Sequence, residues 1–313
     1  MTERFKCLKV ASFTATIMAI IILLSIAINP AKTNAGIGKF DKVVNEVNQE
    51  QENTIDVVVL GDSEAYRSIT PLEIYQEYGI TAYVGASPAQ TSYQAYEMLQ
   101  TILEKQKPEV CVVEINLLYR NYSAAAAVVP KLERMLPIFK YHNMWKEVLD
   151  PNYSFDSVIS TKNKGYRYNS SVSASNDTDY MKQTDDKLKI SKNNIMYVGK
   201  IIDLCRQNNI ELLFIRTPST KNWNYSKHNG AAEYAKENSI KFIDLNVNNE
   251  IEIDWKRDTS DRGDHMNYYG AHKVTAYLGK YLNDNYELTD HRNDKRYDSW
   301  NDALESYKKS IKK

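Results

Sequence analysis

The sequence contains few cysteines, and those it has are far apart. Cys7, Cys111 and Cys205 are the complete set. Three separated cysteines cannot form the disulfide framework that stabilises small secreted domains. The sequence also has no Cys-x-x-Cys pair and no cluster of cysteines and histidines. We therefore expect neither a metal site nor a cofactor.

The sequence also lacks an excess of charge of either sign. Forty Lys and Arg residues balance forty Asp and Glu residues, so the formal net charge at pH 7 is zero. Without a basic excess there is no general electrostatic attraction for nucleic acid, and we expect no nucleic-acid partner. The 11 glycines and 8 prolines show no period, which excludes a collagen-like fibre. Because 42% of the residues are hydrophobic, most of the chain should fold.

One long hydrophobic segment lies near the N-terminus. No charged residue occurs from Val10 to Ile28, and at about 1.5 Å per residue this run can cross a bilayer. Arg4, Lys6 and Lys9 precede it, so the N-terminus should be cytoplasmic and the rest of the chain exported. A cleavable signal peptide would have a shorter apolar region. We therefore predict a single-pass anchor within residues 1–35, left uncleaved in the cell membrane.

The exported part shows an alternating pattern. Residues 36–54 are polar and predict a stalk, and residues 55–286 predict one domain. In that domain, helix-like segments separate short apolar runs: Ile55 to Leu60, Thr81 to Val84, Val110 to Ile115, Glu211 to Ile215 and Lys241 to Leu245. This alternation is typical of an α/β fold with a parallel sheet and helices on both faces. Ligands bind such sheets at the carboxyl edge of the strands.

Two further segments interrupt or follow this pattern. About residues 120–190 form an insertion between the third and fourth strands, which is either a lid over the site or a partly disordered loop. We favour a lid that carries residues 141–148 (YHNMWKEV) and 164–168 (KGYRY). Within residues 287–313, large apolar residues recur at helical spacing, which predicts an amphipathic helix docked on the domain.

Two motifs carry residues suited to catalysis. Gly61-Asp62-Ser63 directly follows the first strand, which places Ser63 at the carboxyl edge of the sheet. Far along the chain, an Asp-rich loop presents His265 just before the last helix of the domain. A serine hydroxyl becomes a nucleophile when a base lies within hydrogen-bond reach and a carboxylate orients that base. Ser63, His265 and a nearby aspartate can supply this set.

With these motifs, residues from about Ile55 to Leu282 resemble the SGNH/GDSL hydrolase superfamily. The likeness is greatest to membrane-anchored, extracytoplasmic members related to D-alanyl-lipoteichoic-acid biosynthesis proteins and to polysaccharide O-acetyl esterases and transferases. The matching blocks are VVVLGDSEAY, YVGASPAQT, VVEIN and DHMNYYGAHKVTAYL. The resemblance implies a three-layer, flavodoxin-like α/β domain. It also implies that Ser63 is the nucleophile and His265 the general base, and that the Gly85 N–H group and Asn116 bind the oxyanion.

Two of these blocks depart from the family pattern. Asn116 lacks the glycine that usually lies two residues before it and the aspartate that follows it. The family aspartate three residues before the histidine is replaced by Arg262, between Asp261 and Asp264. We favour Asp261 as the residue that orients His265, because neighbouring side chains such as Asp264 and His265 usually point apart. Asp264 remains the alternative.

The resemblance implies an acyl-ester hydrolase or O-acyltransferase acting on a cell-envelope glycan or polyol polymer. Its expected partners are that acylated polymer and a membrane-bound O-acyltransferase. Arg216 follows the fourth strand and is a candidate substrate contact. One alternative is a non-catalytic protein that binds or assembles envelope polymers through a degenerate SGNH domain. A membrane sensor is a further alternative, although few residues precede the anchor to form an output domain.

Overall fold

The computed structural model describes residues 3–27, 39–123, 132–133, 135–141, 162–177, 179–247 and 250–311. They divide into two compact units. The first comprises Met1–Gly38 and Tyr122–Ile159, and the second comprises Lys39–Asn121 and Ser160–Lys313.

The first unit contains two described helices. Helix α1 spans Glu3–Ala27, and its segment Phe5–Ile26 is long and apolar enough to cross a membrane. The short helix α6, Ile138–Tyr141, contacts α1, and the Ile138 N–H group donates a 3.3 Å hydrogen bond to Ser25 Oγ. Length and composition thus make α1 a candidate membrane span or signal sequence. Residues 142–148 of the predicted lid lie outside the described residues.

The second unit is built on a five-stranded parallel sheet. The strands are β1 (Val57–Gly61), β2 (Ala82–Ala86), β3 (Val110–Glu114), β4 (Glu211–Arg216) and β5 (Lys241–Asp244), in the order β2-β1-β3-β4-β5. This is the flavodoxin-like order. Strands β1, β2 and β3 are buried throughout, as expected for a sheet covered on both faces. The predicted α/β fold class is confirmed.

Helices cover both faces of this sheet. They are α2 (Lys39–Val47), α3 (Ser63–Ser68), α4 (Pro71–Tyr78), α5 (Ser92–Leu103), α7 (Lys192–Gln207), α8 (Tyr225–Glu237), α9 (Tyr268–Asn285) and α10 (Asp298–Ile311), with 3₁₀ turns at Ile115–Tyr119 and Lys295–Tyr297. Because side chains alternate along a strand, Val58 and Leu60 face one core while Val57 and Val59 face the other. The first core contains α5, α7 and α10, and the second contains α3 and α9.

The stalk expectation differs from the structure. From Lys39 onward the chain forms α2, whose Val43 and Val47 are buried in the first core. Their spacing of four residues places both on one helix face, which the sheet unit covers. Glu50 then forms a buried 2.7 Å ion pair with Lys164. Residues 39–54 therefore belong to the folded unit.

Part of the predicted lid also belongs to this unit. Lys164 and Tyr166 are buried, and the Val84 N–H group donates a 3.0 Å hydrogen bond to the Lys164 carbonyl. The Lys164 ammonium lies 4.3 Å from the centre of the Trp300 ring. Residues 164–168 are thus packed against β2 and α10 and do not form a separate lid.

Candidate active site

Ser63 begins helix α3 at the carboxyl end of β1. Asp62 is the N-cap residue of this helix, and its Oδ1 atom accepts a 3.0 Å hydrogen bond from the Glu64 N–H group. The strand-to-helix turn is tight, because a Cβ atom at Gly61 would lie 2.7 Å from Ala65 Cβ and 2.8 Å from Glu114 Cβ. Glycine is therefore needed at position 61, and it brings Ser63 to the edge of the sheet.

His265 connects Ser63 to Asp261. His265 Nε2 lies 2.8 Å from Ser63 Oγ, and His265 Nδ1 lies 2.6 Å from Asp261 Oδ2. The other Asp261 oxygen accepts a 2.7 Å hydrogen bond from the His265 backbone N–H group. With Nδ1 protonated, Nε2 is free to accept the serine proton. The geometry suits a serine nucleophile, a histidine base and an orienting carboxylate.

Asp264 has a different set of contacts. Its Oδ2 atom lies 3.6 Å from His265 Nδ1, which is 1.0 Å farther than Asp261 Oδ2 at 2.6 Å. Its Oδ1 atom accepts a hydrogen bond of 2.5 Å from Asn222 Nδ2. Asp261 is therefore the closer of the two carboxylates to the histidine ring.

The loop from Asp261 to His265 depends on a left-handed turn. Arg262 and Gly263 have φ angles of 61° and 89°. A Cβ atom at Gly263 would lie 2.0 Å from Thr220 Oγ1, so this position requires glycine. The turn lets Asp261, four residues before His265, bring its carboxylate to both the ring and the backbone of His265.

An extended segment from the insertion holds this loop in place. We call residues 167–177 the strap. Its backbone exchanges hydrogen bonds with the loop from Trp255 to Tyr268: Ser175 N to Trp255 O at 2.8 Å, Ser173 N to Thr259 O at 2.9 Å, Arg262 N to Ser173 O at 3.0 Å and Tyr268 N to Asn169 O at 2.7 Å. Arg67 of α3 donates a 2.9 Å hydrogen bond to the Arg167 carbonyl. The strap thus joins the helix of Ser63 to the loop of His265.

The two predicted oxyanion donors lie in different positions. Asn116 is buried in the turn after β3, and its Nδ2 atom donates a 3.1 Å hydrogen bond to Asp62 Oδ2, next to Ser63. Arg120 also bonds this Asp62 oxygen. Gly85 lies inside β2, opposite Leu60, and its carbonyl accepts a 3.3 Å hydrogen bond from Gln90 Nε2. The structure brings Asn116 to the serine turn, whereas Gly85 is level with a residue three positions before Ser63.

The charges around the histidine change its titration. Burial lowers the pKa of His265, but the hydrogen bond with Asp261 and the charges of Glu64 and Asp264 outweigh burial, so the pKa is raised. Burial raises the pKa of Asp261, but its hydrogen bonds with His265 outweigh this and the pKa is lowered. The pair therefore favours an ionised aspartate beside a histidine that takes up a proton readily.

Asp261, Asp264 and His265 could also be considered as metal ligands. One ligand atom from each lies within 4.8 Å of the others. However, both ring nitrogens of His265 already have hydrogen-bond partners, Asp261 and Ser63. A cation would have to replace one of these contacts, so the arrangement fits proton transfer better than metal binding.

A buried charged cluster behind Ser63 was not predicted from the sequence. It consists of Glu64, Glu114 and Arg216, with Arg216 fully buried, and the partly buried Asn222 donates a hydrogen bond to Glu64. The expectation that Arg216 contacts substrate is therefore wrong, because Glu114 and Glu64 enclose its guanidinium. The sequence did carry a signal for this cluster, since Glu114 and Arg216 each end an apolar strand at the edge that carries Ser63.

Comparisons with known proteins give distant structural likenesses. No protein-family model matches the chain, and no curated protein matches it. A GDSL-like lipase from Bacteroides thetaiotaomicron VPI-5482 has 13% identity and a TM-score of 0.41, covering 78% of this chain and 97% of that one. A protein described as "a putative acylhydrolase", from Bacteroides fragilis NCTC 9343, has 14% identity and a TM-score of 0.39, covering 80% and 98%. Likenesses this distant identify no function.

Proposed function

We propose that this protein is a serine-dependent acyl-ester hydrolase or O-acyltransferase with Ser63 as its nucleophile. The observation that carries the proposal is the continuous contact from Asp261 through His265 to Ser63, with distances of 2.6 and 2.8 Å. Asp261 orients the ring, His265 removes the hydroxyl proton, and Ser63 lies at the edge of the sheet where ligands bind.

The reaction proceeds in two balanced steps. Ser63 Oγ bonds to the ester carbonyl carbon while its proton passes to His265 Nε2. The bond to the leaving alcohol then breaks, and the alcohol oxygen takes that proton, which leaves the acyl group on Ser63. Water, or a sugar or polyol hydroxyl, attacks the acyl-serine in the same way, and its proton returns through His265 to Ser63 Oγ.

The developing oxyanion requires hydrogen-bond donors. We assign this role to the Ser63 N–H group at the start of α3 and to the second N–H of the Asn116 amide. The Gly85 N–H group, the further donor that the resemblance implies, lies inside β2 level with Leu60. One such donor contributes about 10²- to 10³-fold to turnover. Because Asn116 already reaches the Asp62 side chain next to Ser63, its amide is the donor that contacts in the structure favour most.

The substrate follows from the proposed location. With Arg4, Lys6 and Lys9 before the uncharged run that starts at Val10, the N-terminus lies in the cytoplasm and the sheet-containing unit outside it. The substrate class is then an acylated polysaccharide or polyol polymer of the cell envelope, and a membrane-bound O-acyltransferase is the candidate protein partner.

Covalent labelling tests the proposal without knowledge of the substrate. A fluorophosphonate probe phosphonylates an activated serine and releases fluoride. We expect the full chain in detergent to be labelled, and both Ser63→Ala and His265→Ala to abolish labelling. Ser226→Ala is the matched control, because Ser226 bonds Asn224 at the start of α8. Folded wild-type protein that remains unlabelled would contradict the proposal.

One feature favours a non-catalytic alternative. Gly85 lies within β2 rather than in the turn beyond it, so one predicted oxyanion donor is set back from Ser63. A domain that binds or assembles envelope polymers would tolerate this. If the protein is non-catalytic, deleting it from cells should change polymer acylation, whereas Ser63→Ala should leave polymer acylation unchanged.

A further inference from the structure

A carboxyl group lies directly behind the nucleophile. Glu64 follows Ser63 in α3, and its side chain is only 1% exposed. Its Oε1 atom accepts a 2.6 Å hydrogen bond from Asn222 Nδ2 and lies 3.6 Å from Arg216 Nη2. Burying a carboxyl group is unfavourable unless partners compensate for it, so the contacts of Glu64 are the key to its role.

Arg216 compensates Glu64 only in part. The same guanidinium makes a shorter contact of 2.5 Å to Glu114, so two buried carboxyl groups share one cation. The pKa of Glu64 is raised to about 8, because burial and the charges of Asp62 and Glu114, which raise it, outweigh Arg216 and His265, which lower it. Charge pairing alone does not account for a carboxyl group at this position.

Asn222 connects Glu64 to the histidine loop. Its Nδ2 atom donates to Glu64 Oε1 at 2.6 Å and to Asp264 Oδ1 at 2.5 Å. Asp264 precedes His265, and the Ser219 hydroxyl also holds the Asp264 carbonyl at 2.9 Å. One amide group therefore bridges the residue after the nucleophile and the residue before the base.

This bridge joins two elements that are far apart in the sequence. Ser63 belongs to α3 and His265 to a loop 202 positions later, and their contact depends on how these elements are held together. The strap provides one link to α3: Arg67 donates a hydrogen bond to the Arg167 carbonyl, and the Arg167 N–H group donates one to the Tyr66 carbonyl. The Glu64–Asn222–Asp264 bridge provides a second, separate link through side chains.

We propose that Glu64 and Asn222 are positioning residues that hold His265 Nε2 within hydrogen-bond distance of Ser63 Oγ. This inference rests on the proposed function, since it concerns the reactivity of Ser63. Neither residue takes part in bond making. Their role is to set the separation of nucleophile and base, to which rates are sensitive at the level of about 1 Å.

The two residues should affect the chemical step and not probe binding. We expect Glu64→Ala and Asn222→Ala each to slow fluorophosphonate labelling at saturating probe by about 10- to 100-fold. The half-saturating probe concentration should stay unchanged. Glu64→Gln keeps an oxygen that can accept from Asn222, so it should label within about threefold of wild type. A residue needed only for its charge beside Arg216 would not be rescued by glutamine.

The double variant tests whether both residues act through one contact. If they do, Glu64→Ala/Asn222→Ala should label no more slowly than the slower single variant, because the second change removes a bridge already broken. Asn229→Ala is the matched control, since Asn229 Nδ2 also bridges two acceptors, the carbonyls of Thr184 and Asp186, away from the site. Thermal unfolding of each full-length variant shows that it is folded.

The outcomes separate this inference from the proposed function. Unlabelled folded wild type would refute both. Labelled wild type, with Glu64→Ala and Asn222→Ala as fast as Asn229→Ala, would refute the positioning role alone. Single effects that multiply in the double variant would refute the bridge. Loss of labelling in Glu64→Gln equal to that in Glu64→Ala would show that the charge matters and not the hydrogen bond.

Discussion

Two histidine–aspartate pairs in the sheet-containing unit invite comparison: His265–Asp261 and His228–Asp244. In both, the Nδ1 atom lies close to a carboxylate oxygen, at 2.6 Å and 2.7 Å. Asp244 ends β5, and His228 lies on α8 beside it. By distance alone the two pairs are nearly the same.

Their surroundings differ. Asp244 is 5% exposed and also accepts hydrogen bonds from Trp223 Nε1 at 2.7 Å and from the Asn246 N–H group at 2.9 Å. His228 lies beside the rings of Tyr225 and Phe242. By contrast, the side chain of Asp261 is 43% exposed, and both its oxygens contact His265.

The difference shows what turns such a pair into a candidate catalytic one. Asp244 has a structural role, because at the end of β5 it contacts Trp223, His228 and Asn246. His265 presents its second nitrogen to a hydroxyl at the start of a helix, which is the requirement for general-base activation. What distinguishes His265 from His228 is therefore the partner of its Nε2 atom, Ser63, and not the contact of Nδ1 with an aspartate.

Exchanging each histidine for glutamine should give the largest contrast. His265→Gln removes the base, so fluorophosphonate labelling should fall by about 10³-fold or more. His228→Gln should label within about threefold of wild type, because His228 does not contact Ser63. Labelling rates of both purified variants check this. Equal losses of labelling in the two variants would contradict the assignment of His265, and not His228, as the base.

Exchanging each aspartate for asparagine should lower the labelling rate in one pair and the stability of the protein in the other. Asp261→Asn favours the wrong tautomer of His265 and should lower labelling by about 10²- to 10⁴-fold with little change in stability. Asp244→Asn weakens buried hydrogen bonds and should lower the free energy of unfolding by about 1–3 kcal/mol, with labelling largely kept. Denaturant unfolding and labelling rates of both proteins check this. If both aspartates had only a structural role, both variants would lose stability and neither would lose labelling selectively.

Asp264→Asn should have a smaller effect on rate. Its carboxylate is 3.6 Å from His265 Nδ1, so the orienting hydrogen bond from Asp261 stays in place. We expect labelling within about tenfold of wild type. A loss as large as that of Asp261→Asn would assign the orienting role to Asp264 instead.

Asp264→Asn should also shift the pH dependence of labelling. The base must be neutral to accept a proton, and the pKa of His265 is raised, so labelling should fall as pH drops, at a higher pH than an ordinary histidine would give. Removing the Asp264 charge lowers this pKa, and the acid limb should therefore move to lower pH. Labelling rates measured between about pH 5 and 8 test this direction. A limb that moves upward would contradict it.

Local patterns in the sequence predicted much of the fold. The apolar run Ile55 to Leu60 overlaps β1 and the run Val110 to Ile115 contains β3, because strands buried on both faces read as continuous apolar segments. The helical spacing of Trp300, Leu304 and Tyr307 matches the buried face of α10. Such signals are carried by neighbouring residues, so no distant contact is needed to see them.

The packing of polar segments could not be predicted in this way. Residues 39–54 look like a stalk because polar and charged residues together dominate them, yet Val43 and Val47 are buried in the first core. Lys164 looks exposed in the sequence, yet it is buried beside Glu50 and Trp300. The burial of Lys164 depends on partners more than a hundred positions away, and that of α2 depends on β2 and α5. The spacing of Val43 and Val47 marks an apolar helix face, but it does not show which elements cover that face.

The sequence by itself determined where the two main candidate residues lie. Ser63 follows a strand and His265 precedes a helix, and parallel strands bring their carboxyl ends to one edge. Only the tertiary structure decided which carboxylate meets the histidine. Asp261 does so because the chain turns left-handed at Arg262 and Gly263, against Thr220 and Ser175. Those two partners come from distant segments, so the contact exists only once they are packed together.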